Sequence, residues 1–441
     1  MALIELSPET QAPPAATVPP PAYFYRRFGL ALAALLLLAL GGAAPASSAL
    51  WQRVGRVPMP DGGDFQLVGG RLYTVDLDAE PRVLTAWQAG PIRRLWSMAE
   101  TGGSEPFFVT NGTADLALLR AGRRTSVLDA RTGAVRWTSS SLVQQLTDQI
   151  GLVQEEKFRP GTEYDPESGD PGRLYGTSSD TLHTEPALST ELRGVELGTG
   201  RPLWSVSVPG SVYAAWTGSP ASALVVLSAD KLTVRSPGTG AALRERAVPR
   251  VNGVGATGGE VTGDTVLVHY GAFGEGGRVT AYALDTLDER WQQDQPNPAG
   301  GSVNCYGLPC LRTRNDLSVL DPRTGASRWR VAGVDLMAFG ARSALEVRGL
   351  HSPLRTVDVV TGEPEVELGG WSGYFSVDGR DAYVLIRPEP DRSTAFALLL
   401  PGKDAVQPLG RLPDATAQCQ PVPGLVACRV GDGIEIWSYH A

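Results

Sequence analysis

The four cysteines of this 441-residue chain are the side chains whose chemistry is easiest to interpret, because they fall into two close pairs. Cys305/Cys310 and Cys419/Cys428 each flank a glycine-containing turn signal. Cysteines equidistant from a hairpin turn face each other across two antiparallel strands, within disulfide reach. The sequence therefore predicts two disulfides, each within its own hairpin, with buried free thiols as the alternative. Zinc ligation requires Cys-x2-Cys or mixed Cys and His spacings, which these pairs lack.

Histidine chemistry gives no comparable signal. The chain contains four histidines, His183, His269, His351 and His440. His269 alternates with valines in a strand-like segment, and His440 is next to the last residue. None lies in a motif that predicts a nucleophile and its general base. The sequence therefore predicts no hydrolase and no catalytic residue.

An acidic segment at 155–186 is the first candidate for contact with a partner. Its carboxylates Glu163, Asp165, Glu167 and Asp170 resemble a calcium loop only loosely, because the D-x-D-x-D-G register is missing. A solvated loop is the simpler interpretation, and no metal or cofactor site is predicted. The segment extends the local repeat by about 25 residues, and long loops on rigid scaffolds commonly bind partners.

The elements that carry these residues are predicted by an internal repeat. Leu128–Trp137 reads LDARTGAVRW and Leu320–Trp329 reads LDPRTGASRW. A further copy, LDTLDERW, retains an aspartate and a tryptophan with a turn that we interpret as two residues shorter. Across the copies the motif residues are Asp129, Thr132, Gly133, Trp137, Thr199, Gly200, Trp204, Asp285, Trp291, Asp321, Thr324, Gly325, Trp329, Asp358, Thr361 and Gly362.

Each copy is typical of a hairpin between two strands. The aspartate caps the turn through backbone N–H groups, and the glycine supplies the positive φ that a tight turn requires. A large aromatic follows on the next strand. Steps of about 40 residues between copies match one four-stranded propeller blade. No segment after residue 50 has the periodicity of a long amphipathic helix.

The D-x-x-T-G-x-x-x-W turn, intact at Asp129–Trp137 and Asp321–Trp329, resembles the pyrroloquinoline-quinone-like (PQQ-like) β-propeller repeat family. The resemblance covers about residues 50–441. It implies an all-β propeller of four-stranded antiparallel sheets, similar to the outer-membrane assembly propeller lipoprotein. Because the motif is structural throughout that family, it does not specify an activity.

The resemblance also raises the alternative of a quinoprotein-type oxidoreductase, a PQQ-dependent dehydrogenase. The family's dehydrogenases stack the quinone between a tryptophan and a disulfide of adjacent cysteines, beside calcium and a catalytic carboxylate. This chain has no adjacent cysteines. We therefore expect a non-catalytic member without a cofactor.

Blade counting predicts eight blades, within a range of seven to nine. Outer strands are expected near Trp96, Trp137, Trp204, Leu243, Trp291, Trp329, Val366 and Val406. The segment 415–439 supplies three more strands, and Leu50–Val57 is expected to complete that last sheet beside Gly433–Tyr439. A strict count gives nine sheets, but propellers usually have four to eight blades, so we expect one outer strand to be misassigned.

The first fifty residues are predicted to lie outside the propeller. Residues 1–27 read as a disordered cytoplasmic tail, and the uncharged run 28–44 reads as a transmembrane signal anchor preceded by Arg26-Arg27. Cleavage near Ala49, which would give a secreted protein, is the alternative. The tail is long for a cleaved signal, so we expect a single-pass membrane protein with its propeller on the extracytoplasmic side.

Charge and composition limit the function classes. The chain has 39 basic and 47 acidic residues, a net charge of −8, which argues against a nucleic-acid binder. The sequence therefore predicts a binding or scaffold module of the cell envelope, whose partner is an envelope protein or a glycan.

Overall fold

The propeller region of the computed structural model consists of β-strands. The structure describes residues 51–440 except 61, 100–106, 111–114, 165–181, 219–220, 272–276, 296–304, 313–315, 350, 378–380 and 415–417. Within these residues there is no helix, and hence none that could cross a membrane. The predicted tail at 1–27 and the predicted anchor at 28–44 lie outside them.

The strands form nine blades, numbered I to IX along the ring, each described from its inner to its outer strand. Blades I to V comprise β2 (Asp64–Val68), β3 (Arg71–Asp76), β4 (Val83–Ala89) and β5 (Ile92–Ala99); β6 (Phe107–Thr110), β7 (Leu116–Ala121), β8 (Arg124–Asp129) and β9 (Val135–Ser139); β10 (Val143–Gln145), β11 (Ile150–Lys157), β12 (Ser189–Glu196) and β13 (Pro202–Pro209); β14 (Tyr213–Thr217), β15 (Ala223–Leu227), β16 (Lys231–Arg235) and β17 (Ala242–Ala247); and β18 (Ala256–Thr262), β19 (Thr265–Tyr270), β20 (Gly277–Ala283) and β21 (Glu289–Gln295). Blade VI comprises β23 (Cys310–Arg312), β24 (Asp316–Leu320) and β25 (Ser327–Ala332), preceded by the short strand β22 (Cys305–Tyr306), which pairs with blade VII. Blades VII to IX comprise β26 (Asp335–Phe339), β27 (Ser343–Arg348), β28 (Ser352–Asp358) and β29 (Pro364–Glu367); β30 (Gly373–Ser376), β31 (Tyr383–Pro388), β32 (Thr394–Leu399) and β33 (Gln407–Leu412); and β34 (Cys419–Val422), β35 (Leu425–Val430), β36 (Gly433–Tyr439) and β1 (Trp51–Pro58).

The prediction of eight blades is wrong, because the described residues form nine. None of the eight expected outer strands was misassigned: each is the last strand of a blade, and β1 supplies the ninth. Three of these strands, β17, β29 and β33, lack the tryptophan of the repeat. Backbone pairing with the preceding strand is sufficient to form an outer strand, so the missing aromatic did not signal a missing blade.

Both predicted disulfides are present, but only one of them bridges a hairpin. Cys419 and Cys428 lie directly opposite each other on β34 and β35. Cys305 is bonded to Cys310, yet β22 pairs in parallel with β26 of blade VII and not with β23. The expected hairpin does not form because the two cysteines pair with different strands, Cys305 with Leu336 of β26 and Cys310 with Val319 of β24. The disulfide therefore ties the inner strand β22 to blade VI.

The core lies between the blades. Nine clusters of buried apolar side chains are present in the described residues, and each joins two consecutive blades. One of them packs Val57 and Phe65 against Ile434, and so joins blade IX to blade I. Each sheet is consequently buried on both faces, and the ring has no unpacked end.

The predicted closure of the ring is confirmed. β1 pairs antiparallel with β36, from Trp51 opposite Tyr439 to Pro58 opposite Gly433. The Trp51 ring stacks on Trp437 at 5.3 Å between centroids and on Phe396 of blade VIII at 5.0 Å. The first strand of the propeller therefore completes its last sheet and covers an edge that would otherwise be open.

Deleting residues 50–57 should destabilise the propeller far more than deleting residues 164–171 of the acidic insertion. The first deletion removes the buried side chains of Trp51 and Val57 together with the β1–β36 ladder. Losing one large buried aromatic alone costs about 3–5 kcal/mol. Thermal denaturation of the two variants provides the test. Equal decreases in melting temperature would contradict a closing role for β1.

Candidate functional site

The repeat motif forms a turn whose polar groups are satisfied locally. In blade II, Asp129 Oδ1 accepts hydrogen bonds from the backbone N–H groups of Arg131 at 3.1 Å and Thr132 at 3.0 Å. Gly133 has φ of 74° and donates its N–H to the Asp129 carbonyl at 2.8 Å. Asp321 and Asp358 cap the corresponding turns of blades VI and VII in the same way.

The motif tryptophan docks on the turn of the following blade. A Cβ on Gly200 would lie 2.6 Å from the Trp137 ring, so only glycine leaves room for the indole. The Trp137 indole also donates its N–H to the Leu197 carbonyl at 2.8 Å. The same pair of contacts recurs where Trp96 meets Gly133, Trp204 meets Gly240, Trp291 meets Gly325 and Trp329 meets Gly362. The motif thus joins neighbouring blades as well as making a turn.

Between blades IV and V the same junction is built from different residues. Blade IV has no tryptophan here, and the Arg246 guanidinium donates to the Leu287 carbonyl at 2.9 Å and lies 5.4 Å from the Tyr282 ring centroid. Leu287 adopts φ of 61° and donates its N–H to the Ala283 carbonyl, as the motif glycine elsewhere donates to the carbonyl of the capping aspartate. Ala283 therefore occupies the capping position. The expected shortened turn with Asp285 as its cap is not found, because Leu287 supports a turn of full length.

Arginines preceding the motif tryptophans form ion pairs that lower aspartate pKa values. Arg136 lies 2.7 Å from the carboxylate of Asp129, and this hydrogen bond lowers the Asp129 pKa to about 2. The equivalent pair of blade VI, Arg328 with Asp321 at 2.7 Å, lowers the Asp321 pKa to about 2 by the same cause. In blade V, Arg290 instead pairs at 2.8 Å with Asp264, between β18 and β19, and lowers the Asp264 pKa to about 2. The motif residues thus hold the blades together; in the described residues they do not converge on a pocket.

The acidic insertion has an ordered base on blade III. Glu163 pairs with His183 in an antiparallel bridge, and the imidazole stacks on Phe158 with 3.6 Å between ring centroids. The Thr162 hydroxyl lies 3.3 Å from His183 Nδ1, and both side chains are buried. A lone histidine in the sequence gave no signal of this packing. The other candidate contact residues, Asp165, Glu167 and Asp170, lie outside the described residues.

The insertion defines one face of the ring, which we call the insertion face. This face carries the loops between the second and third strands of each blade and those leading from each outer strand to the next blade. The motif turns lie on the opposite face. Leu182 and Leu188, which flank the ordered base, are 42% and 58% exposed. The insertion base therefore presents apolar side chains beside carboxylates.

Comparison with known proteins identifies no family for this chain. No family model matches the chain, and no curated protein matches it. Similar solved structures include BamB from Moraxella catarrhalis, with 9% identity over 88% of this chain and 100% of that chain and a TM-score of 0.39. The computationally designed Ika8 protein has 12% identity over 88% of this chain and 100% of that chain, with a TM-score of 0.44. Saccharomyces cerevisiae Sqt1 has 10% identity over 88% of this chain and 96% of that chain, with a TM-score of 0.45. At these scores they add nothing to what the strand pairing establishes.

Replacing Gly200 with alanine should destabilise the protein more than replacing Gly402. Both glycines have positive φ, at 74° and 68°, so alanine is strained at either position. Only the Gly200 Cβ would meet an indole, whereas nothing lies within 4 Å of a Cβ at Gly402. Overpacking should add roughly 1–3 kcal/mol to the strain at Gly200. Denaturant unfolding measures both, and equal losses would contradict the docking role of Trp137.

Replacing the turn aspartates with asparagine should make the free energy of unfolding fall less steeply as the pH is lowered. Because the folded-state pKa values of Asp129 and Asp321 lie below 3.8, their contribution is complete above that pH and is lost as the pH falls towards about 2. D129N/D321N should therefore be less stable than the wild type at neutral pH, with the two curves converging at about pH 2. Denaturant titrations across this range test it. D148N, which removes an exposed carboxylate outside the motif turns, is the control and should match the stability of the wild type. If the stabilities of the wild type and D129N/D321N differ by the same amount at every pH, the prediction is contradicted.

Proposed function

We propose that this chain is a membrane-tethered, extracytoplasmic β-propeller that acts as a binding or scaffold module of the cell envelope, without catalysis. The observation that carries the proposal is the ordered base of the insertion on a closed ring. Both blades that flank blade III are packed against it through buried clusters. A rigid support lowers the entropic cost of presenting a long loop to a partner.

The compartment is inferred from the sequence together with the two disulfides. Stable disulfides are typical of oxidising compartments outside the cytoplasm. Arg26 and Arg27 precede the apolar run 28–44, an arrangement that favours retention of the N-terminus in the cytoplasm. The expected partner is an envelope protein or glycan that contacts the insertion face.

Site-specific photocrosslinking in intact cells tests this proposal. A photoreactive residue at the exposed Glu163 position should crosslink to an envelope protein, or the protein should sediment with isolated cell wall if the partner is a glycan. The control position is Val360, which is 47% exposed on a motif turn of the opposite face. Membrane fractionation of the full chain accompanies the experiment, and an intact N-terminus is expected.

Three results would overturn the proposal. Equal crosslinking from Glu163 and Val360, together with no cell-wall sedimentation, would contradict binding through the insertion face. Recovery of the chain with cytoplasmic partners only would contradict the compartment. Dye reduction by protein reconstituted with pyrroloquinoline quinone and calcium would show a quinoprotein-type oxidoreductase instead.

A further inference from the structure

A groove on the insertion face of blade II is lined by basic and hydroxyl side chains. It is open to solvent, has a volume of about 450 Å³ and is bordered by Ala121, Arg123, Arg124, Thr138, Ser139 and Ser140. No carboxylate is among these six residues. From their chemistry we infer that the groove binds a phosphate-bearing anion, through the two guanidinium groups and hydroxyl groups at its border.

The basic wall is a two-residue hairpin between β7 and β8. Ala121 pairs with Arg124, and Gly122 adopts φ of 54°, so the turn is tight and places Arg123 at its tip. Both arginines are exposed. Within the described part of the chain neither guanidinium has an ion-pair partner, in contrast to Arg136 on the neighbouring strand β9. Their positive charge is therefore available to an incoming anion.

The other side of the groove, formed by Thr138, Ser139 and Ser140, is the hydroxyl wall. Hydrogen bonds within the protein hold it in place without a ligand. The buried Thr125 hydroxyl accepts the Val143 N–H at 3.0 Å, which fixes the end of the loop leading from β9 to β10. Within this loop Ser139 Oγ accepts the Ser141 N–H at 3.1 Å, and the Ser141 hydroxyl donates to Glu155 at 2.7 Å. The Ser139 hydroxyl keeps its own proton to donate. A wall fixed before binding reduces the entropy lost when a ligand is held.

Phosphate chemistry matches these two walls. A guanidinium presents a planar fork of donors that pairs with two oxygens of a phosphate, and two adjacent arginines can engage one or two phosphoryl groups. Hydroxyl groups donate to the remaining oxygens. Because the groove is open to solvent, it can admit a phosphate ester larger than inorganic phosphate. This inference is independent of the partner proposed for the insertion.

Calorimetric titration of the full chain with inorganic pyrophosphate at about 150 mM NaCl tests the inference, because that salt concentration screens non-specific attraction. Saturable binding is expected for the wild type. R123Q/R124Q should weaken it at least about tenfold, because charge-assisted hydrogen bonds are lost. S140A, which leaves the hydrogen bond from the Ser141 N–H to Ser139 intact, should weaken it by a smaller factor. Both variants should retain the wild-type melting temperature.

R93Q/R94Q is the matched control, because Arg93 and Arg94 form another exposed pair, on β5 of blade I. It removes the same charge and should change the affinity by less than about twofold, as expected for distant screened charges. Absence of saturable binding by the wild type, or equal weakening by the two arginine double variants, would overturn the inference.

The source of the phosphate is distinguished by a second probe. Vesicles of phosphatidylglycerol in phosphatidylcholine are sedimented with each variant. Sedimentation that requires Arg123 and Arg124 but not Arg93 and Arg94 would assign the groove to a lipid phosphodiester. Pyrophosphate binding without sedimentation would assign it to a soluble phosphate compound. Sedimentation that both arginine double variants lose equally would show general surface charge and would contradict the site.

Discussion

The contact between the indole of one blade and the glycine turn of the next is the interaction on which this ring depends. It combines buried apolar area, a hydrogen bond from the indole N–H and a backbone conformation that glycine adopts without strain. The turn cap and the inter-blade contact are made by one ten-residue segment. A single local motif therefore specifies both the blade and its attachment to the next blade.

The junctions without this contact show what it must accomplish. Between blades IV and V, Arg246 replaces the indole as the donor and packs on Tyr282. Between blades VIII and IX, the Trp51 ring stacks on Phe396 of blade VIII and on Trp437 of its own blade. In each case a large planar group closes the gap between sheets, because a void between them would forfeit dispersion contacts on both sides.

The two candidate binding loops gain from this arrangement because neither contributes to the packing between blades. Met59, Val212 and Val248 join the inter-blade clusters from other connections of the insertion face, whereas the acidic insertion and the Gly122-Arg123 turn supply no cluster residue. The acidic insertion on blade III and the basic groove on blade II are neighbours on that face. Their opposite charge makes the two surfaces suited to different ligands, a partner surface at the insertion and a phosphate-bearing anion at the groove.

Sequence alone determined mainly what depends on short range. Turn chemistry located eight outer strands, and cysteine spacing located both disulfides. The pairing of β1 with β36 is the long-range exception, because an open propeller edge leaves one strand to cover it. The tertiary structure decided what depends on long range: the ninth blade, the parallel pairing of β22 with β26, and the positive φ of Leu287. It also brought Arg123 and Arg124 to the same groove as Thr138 and Ser140. These outcomes depend on which strands meet in space, and neither residue spacing nor local propensity encodes that, because packing between blades selects among backbone arrangements of similar local energy.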